Sequence, residues 1–198
     1  MVTWSRDYNK TVRDRMGNQT LLNMRTTAVY YFPTSHGVRG TQYFCEQYAA
    51  KSVLDYGCGE YENIIAPHGT EVTYYDPFVP SKNFRPTSPS DLVFLNHVLN
   101  GIEPDYMEEV LEDIKSLCNK AIICLNRMPG MYDMWEKDYE DKFKRRGLIV
   151  KERYSCSIEY FLDQIRRGNF NKPLRTHVSE TQEPKRLLYF LLEKDPNF

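Results

Sequence analysis

Residues 53–59, Val53-Leu54-Asp55-Tyr56-Gly57-Cys58-Gly59, decide the reading of this chain. Two apolar residues close a short buried strand, an acid ends it, and two glycines turn the backbone so that it comes close to a ligand at a helix N-terminus. Open α/β sheets bind their ligands at the carboxyl ends of the strands, where this turn falls.

Outward from that turn, the pattern predicts alternating strands and helices. Gln42–Tyr48 suits a short amphipathic helix, and Lys51–Tyr56 and Glu71–Tyr75 read as strands, the second ending in Asp76-Pro77. The Pro- and Ser-rich connector PFVPSKNFRPTSPS is improbable as a helix. Asp91–Leu95 is a third strand. Pro104 opens a helix with Met107, Val110, Leu111, Ile114 and Leu117 on one face. Lys120–Leu125 is apolar over five residues, as expected of a strand covered on both sides. A polar helix from about Met131 to Arg146 ends at Gly147. The strand LIVKERYS, a helix-like SIEYFLDQIRRG, a basic loop and the strand RLLYFLLEK complete the chain. Alternation of this kind predicts an α/β fold with a mainly parallel sheet, because parallel neighbours need crossover connections. One of the last two strands is expected to be antiparallel.

Two nucleotide ligands compete for the glycine turn. A dinucleotide needs G-x-G-x-x-G, but the third glycine position is Glu62, whose carboxylate repels a pyrophosphate. An acid two residues before the first glycine suits a ligand with a cationic amine, such as S-adenosylmethionine. Asp76 lies 21 residues after Asp55, a spacing suited to hydrogen-bonding the hydroxyls of a ribose.

On these residues the sequence resembles the Rossmann-like (class I) S-adenosylmethionine-dependent methyltransferases, whose first motif reads roughly (V/I/L)-L-D-x-G-C-G-x-G. The resemblance covers about residues 41–195: LDYGCG, the acid after the second strand, DLVFLNHVLNGI and the terminal strand pair. It implies a Rossmann-like methyltransferase fold with an antiparallel C-terminal strand. The compactness and the YDPFVP stretch are similar to small methyltransferase-like proteins of tailed phages, which would place the chain in a host cytoplasm. Carried over by position, the resemblance implies that Asp55 and the backbone of Gly57, Cys58 and Gly59 face the methionine part of S-adenosylmethionine and that Asp76 binds its ribose. It also puts Asn96 and His97 beside the cofactor and the incoming acceptor, as candidate catalytic residues, with Ser88–Asp91 near the adenine. Two departures stand out. Tyr61 takes the place of the family's third glycine, and the connector is too short for the usual helix and third strand, so that strand is expected to be trimmed.

Blander readings compete residue by residue. Asp55 alone would cap the turn that follows it, although an acid, two glycines and a second acid at this spacing favour the cofactor. His97 is as readily a structural histidine as a general base. Methyl transfer needs proximity and alignment more than acid–base help, so the lack of a clear catalytic pair does not count against it. The five cysteines show neither CxxC nor Cys/His spacing, so no metal is expected; they read as packing thiols of a reducing compartment. The polar N-terminus MVTWSRDYNK and the lack of a run of roughly 20 apolar residues predict a cytoplasmic protein without a membrane partner.

Net charge is −1, from 26 basic and 27 acidic residues, but it is unevenly spread. Residues 1–40 sum to +4, 41–141 to −11 and 142–198 to +6. The domain reading is a lead-in and substrate cover over 1–40, with one or two helices, followed by the cofactor-binding domain over 41–198. The basic ends coincide with the parts that cover the substrate in methyltransferases of this architecture, which is read either as a solvated basic face opposite an acidic one or as the mark of an anionic acceptor such as a nucleic acid, a nucleotide or a phosphorylated metabolite. Candidate contacts are Arg166, Arg167, Lys172 and Arg175, with Phe170 for stacking. Two alternatives stay open: a non-enzymatic binding protein of the same fold, favoured by Tyr61 and the trimmed connector, and an enzyme that uses S-adenosylmethionine for other chemistry.

Overall fold

A computed structural model describes residues 31–60, 62–128, 136–174 and 185–198. Strands β1 (Tyr31–Thr34) and β2 (Gly37–Gly40) form a hairpin, followed by helix α1 (Thr41–Gln47). Strands β3 (Ser52–Tyr56), β4 (Glu71–Tyr75) and β5 (Ser90–Asn96) come next. A 3-10 turn, Leu99–Gly101, leads to helix α2 (Pro104–Ser116), β6 (Cys118–Met128) and α3 (Glu136–Arg145). The chain closes with β7 (Leu148–Ser157), α4 (Ile158–Arg166) and β8 (Arg186–Lys194).

The main sheet has the order β4-β3-β5-β6-β8-β7. The first four strands in that order are mutually parallel, and β8 runs antiparallel to both β6 and β7. The expected mainly parallel sheet with an antiparallel C-terminal strand is therefore present. Beyond β4 the connector makes turns and no strand, so among the described residues β4 is the last strand of the main sheet on that side and the third family strand is trimmed, as its prolines predict.

Alternation along the strands sorts the core into two layers. Leu54, Tyr56, Val93, Leu95, Ile122, Cys124, Leu188 and Phe190 meet Met107, Val110, Leu111 and Ile114 of α2 and Tyr139 and Phe143 of α3. The opposite residues, including Val53, Leu92, Phe94, Ile123, Leu125 and Tyr189, meet Phe32 and Val38 of the hairpin, Phe44 of α1 and Phe161 of α4. Each fully buried Leu, Ile or Phe contributes about 1.5–3 kcal/mol. Helix ends follow local chemistry. Pro104 opens α2 with Asp105 in the first turn and Lys115 in the last, and the Ser157 side chain caps α4 by accepting from the Tyr160 N–H at 3.1 Å. Gly147 stops α3 at φ +63°.

Two expectations change. Residues 31–40, read as part of a helical lead-in, form a β-hairpin whose Phe32 and Val38 are buried; residues 1–30 lie outside the described residues. The helix expected from about Met131 to Arg146 is present over Glu136–Arg145, and residues 129–135 lie outside the described residues. The glycine turn does not open a helix: residues 57–60 and 62–70 cross from β3 to β4 as turns and irregular chain. Thr41 explains the last of these. Its Oγ1 donates to the Ile65 carbonyl at 2.6 Å and accepts from the Ile65 N–H at 3.1 Å, pinning the crossover to the start of α1, while Ile64 and Ala66 pack against the sheet where a helix would lie. Among the described residues no helix is long and apolar enough to cross a membrane.

Candidate functional site

The site forms at the carboxyl edge of β4, β3 and β5. Asp55 is buried near the end of β3, in register with Tyr74 of β4 and Phe94 of β5. Gly57 and Gly59 take φ of +74° and +64°, and the Gly57 and Cys58 N–H groups donate to the Tyr75 carbonyl at 2.7 and 3.3 Å. Only glycine fits at 57. A Cβ there would lie 2.6 Å from Val98 Cγ2 in a backbone conformation that side chains avoid. Cys58 is buried in the same turn, and burial first, then the nearby Asp55 carboxylate, pushes its thiol up to about 12. It is a packing residue and no thiolate.

Asp76 ties the turn together. Its Oδ2 accepts the Gly59 N–H at 2.8 Å and its Oδ1 accepts the Phe78 N–H at 2.8 Å. Asp76 thus caps the turn from the end of the neighbouring strand. Each carboxylate oxygen keeps a further lone-pair site, so the Asp76 side chain can hold the loop and still accept from a ligand hydroxyl.

Asn96 and His97 stand on the neighbouring strand end. Asn96 lies two residues beyond Phe94 and so shares its face, and its Oδ1 is buried with no hydrogen-bond partner in the protein. His97 is buried, takes φ +58°, and donates its N–H to the Leu125 carbonyl at 2.7 Å. A left-handed non-glycine residue costs strain, and such residues gather at functional sites. Val98 then covers Gly57.

Asp55, Gly57, Cys58, Gly59 and Asp76 are thus brought together, with Asn96 and His97 on the adjacent strand. Tyr61 and Arg175 lie outside the described residues. Ser88–Asp91, expected near the adenine, sit at the opposite end of the sheet, because β5 begins there and the turn lies at its other end. Asp91 instead accepts the Lys51 N–H at 2.6 Å and pairs with Lys120 at 3.4 Å. Burial works against its ionisation, but the Lys51 amide and the Lys120 ammonium prevail and hold its carboxyl below the usual range. Arg166 and Arg167 lie at the C-terminal end of α4, some 13 Å along the helix axis from Ser157. Arg166 is exposed, Arg167 Nε pairs with Asp163 at 2.8 Å, and Phe170 leans on Tyr31 at 5.2 Å between ring centres while staying 38% exposed. Lys172 is exposed and reaches Asn169 Oδ1 at 3.2 Å.

Sequence reasoning missed two groups here. Tyr56 donates its hydroxyl to Asp113 Oδ2 at 2.8 Å, and Arg85 Nε donates to Asp113 Oδ1 at 2.7 Å, so the connector is stapled to α2 beneath the turn. Lys82 of the connector reaches back to the turn. Neither has a motif signal, since each pairing joins residues far apart in sequence. Among the described residues no group of three or more His, Cys, Asp or Glu is placed to hold a metal.

A twisted sheet of this order, with an antiparallel penultimate strand and an acid–glycine turn at its carboxyl edge, has the Rossmann-like, class I methyltransferase fold. Solved structures of that fold are similar over almost the whole chain. 1,6-Didemethyltoxoflavin-N1-methyltransferase of Burkholderia thailandensis, with 1,6-didemethyltoxoflavin and S-adenosylhomocysteine bound, matches at TM-score 0.57 and 11% identity over 98% of this chain and 92% of its own. Magnesium protoporphyrin IX methyltransferase of Synechocystis, with S-adenosylmethionine bound, matches at 0.52 and 14% identity over 96% and 99%. A TehB-like S-adenosylmethionine-dependent methyltransferase of Corynebacterium glutamicum matches at 0.52 and 13% over 96% and 100%. No family model matches the sequence, and no curated protein matches it.

Proposed function

We propose that the chain is an S-adenosylmethionine-dependent methyltransferase acting on an anionic acceptor. The observation that carries the reading is the convergence of Asp55, the Gly57–Gly59 turn, Asp76 and the unpartnered Asn96 Oδ1 at one sheet edge. The bound cofactors of the structural neighbours support it. S-adenosylmethionine would supply a methyl group on a sulfonium, a leaving arrangement that needs alignment more than proton transfer.

In this reading Asp55 accepts from the amine of the methionine part, the turn presents bare backbone beside it, and Asp76 accepts from the ribose hydroxyls. Asn96 offers its oxygen at the acceptor side, and His97, whose ordinary pKa lies near neutrality, takes up a proton where the acceptor releases one. The exposed bases at and after the end of α4, Arg166 and Lys172 foremost, draw in an acceptor that carries phosphate.

Calorimetric titration with S-adenosylmethionine and S-adenosylhomocysteine tests the reading. Asp55→Ala removes a charged hydrogen-bond acceptor and is expected to weaken binding by roughly 10- to 100-fold. No binding by the parent at millimolar cofactor would leave a non-enzymatic scaffold, the reading that the helix-free crossover favours. Turnover to a product other than S-adenosylhomocysteine would select different chemistry on the same cofactor. For the acceptor, anisotropy with a labelled oligothymidylate should show Arg166→Ala/Lys172→Ala weakening binding and flattening its salt dependence; an unchanged affinity would refute that part.

A further inference from the structure

The turn holds two buried carboxylates, Asp55 and Asp76, and a lysine reaches it from outside the motif. Lys82 accepts the Asp76 N–H on its carbonyl at 3.1 Å and donates its own N–H to the Val79 carbonyl at 2.8 Å, so the connector doubles back onto the end of β4. Its side chain is only 12% exposed, and Nζ is shielded from solvent without a hydrogen bond, 3.7 Å from Glu62 Oε1. The ammonium stands 5.3 Å from the centre of the Tyr74 ring. Tyr74 is the register partner of Asp55 on β4, and their side chains leave the sheet on the same face. Lys82 therefore reaches around the edge where the third family strand is trimmed and places its charge by Glu62 and the Tyr74 ring, on the sheet face from which Asp55 projects and, like Asp55 and Asp76, within electrostatic reach of Cys58.

A shielded ammonium without hydrogen bonds is costly, and the offset here comes from that negative field and the face of an aromatic ring. The same field would hold the cationic groups of the cofactor. We propose that Lys82 is the resident counter-cation of this site and sets its discrimination on ligand charge, opposing the sulfonium of S-adenosylmethionine and leaving its uncharged thioether product unopposed. The inference rests on the cofactor reading above.

The two ligands differ by one methyl and one positive charge, so their affinity ratio isolates the charge effect. Titrating both into the parent, Lys82→Met and Lys82→Gln should show S-adenosylmethionine bound about tenfold more tightly by the variants, with S-adenosylhomocysteine changed less than about twofold. Equal changes for both ligands, or weaker binding of both, would overturn the proposal, since Lys82 would then pair with the ligand's carboxylate or act only on structure. A melt without ligand separates this failure from that of the cofactor reading. If the parent binds neither ligand, the cofactor reading fails, and with it the discrimination. The counter-cation role then stands only if Lys82→Met melts lower than the parent while Lys82→Arg melts close to it. A melting temperature unchanged in Lys82→Met would remove that too.

Discussion

Gly57→Ala probes the turn on which the whole site depends. Two separate costs arise. At φ +74° an L-residue takes the left-handed conformation, which costs about 1–2 kcal/mol. The added methyl would also sit 2.6 Å from Val98 Cγ2 and 3.3 Å from Cγ1, and inserting a group into filled space typically costs about 1–3 kcal/mol. Val98 is only partly buried and yields somewhat, so a total of about 2–4 kcal/mol is expected, a large share of the roughly 5–15 kcal/mol that holds a domain together. Urea unfolding at constant slope measures it. Val98→Ala clears the obstruction, so the double variant should recover the steric part and retain the backbone part, with a coupling of at least about 1 kcal/mol across the cycle. A Gly57→Ala loss below about 0.5 kcal/mol, or strict additivity with Val98→Ala, would refute the described turn.

Tyr56→Phe removes a buried hydrogen bond to the Asp113 carboxylate and should cost about 1.5–3 kcal/mol in chemical unfolding, whereas loss of Arg85 should instead speed proteolytic cutting of the connector with a smaller change in stability. All five thiols are buried and pushed up to about 11 or 12, chiefly by burial, so none should react with an aromatic disulfide reagent at pH 8 until the chain unfolds; rapid labelling of the native protein would contradict this. Asp91 has a lowered pKa when folded, so its contribution is complete above the ordinary value of about 3.9 and fades as pH falls through the folded one. Asp91→Asn should accordingly destabilise the chain at pH 7 and converge with the parent in strong acid; a deficit that persists there would place the loss in packing.

Much of this fold is legible because its signals are local. Glu71–Tyr75 and Arg186–Lys194 have the bounds their apolar runs predict, and Pro104 marks a helix start by its own geometry. The β1–β2 hairpin was hidden for two reasons: Pro33 argues against a strand, and what fixes Gly37 is distant, since a Cβ there would strike the Lys172 carbonyl at 2.7 Å. The crossover after the turn failed in the other direction. A helix was expected because a glycine turn after a buried strand reads as a helix N-terminus, while the residue that ties Ile65 of the crossover in place, Thr41, stands more than 20 positions earlier. Within the site, Asp55, Gly57, Gly59 and Asp76 are legible from spacing. The hydrogen bond from Gly59 to Asp76 and the approach of Lys82 are not, because they depend on how the connector doubles back.

The helix-free crossover has a consequence for how this chain can change. Where a helix follows a glycine turn, part of the field at the ligand comes from aligned peptide dipoles, a backbone property that no single replacement removes. Here residues 62–70 supply no such dipole, and the field at the turn rests on discrete side-chain charges: Asp55, Asp76, Glu62 and Lys82. Each of these is one codon from a different charge, so the preference of the pocket for one ligand over another is open to revision by single mutations that leave the sheet beneath it intact.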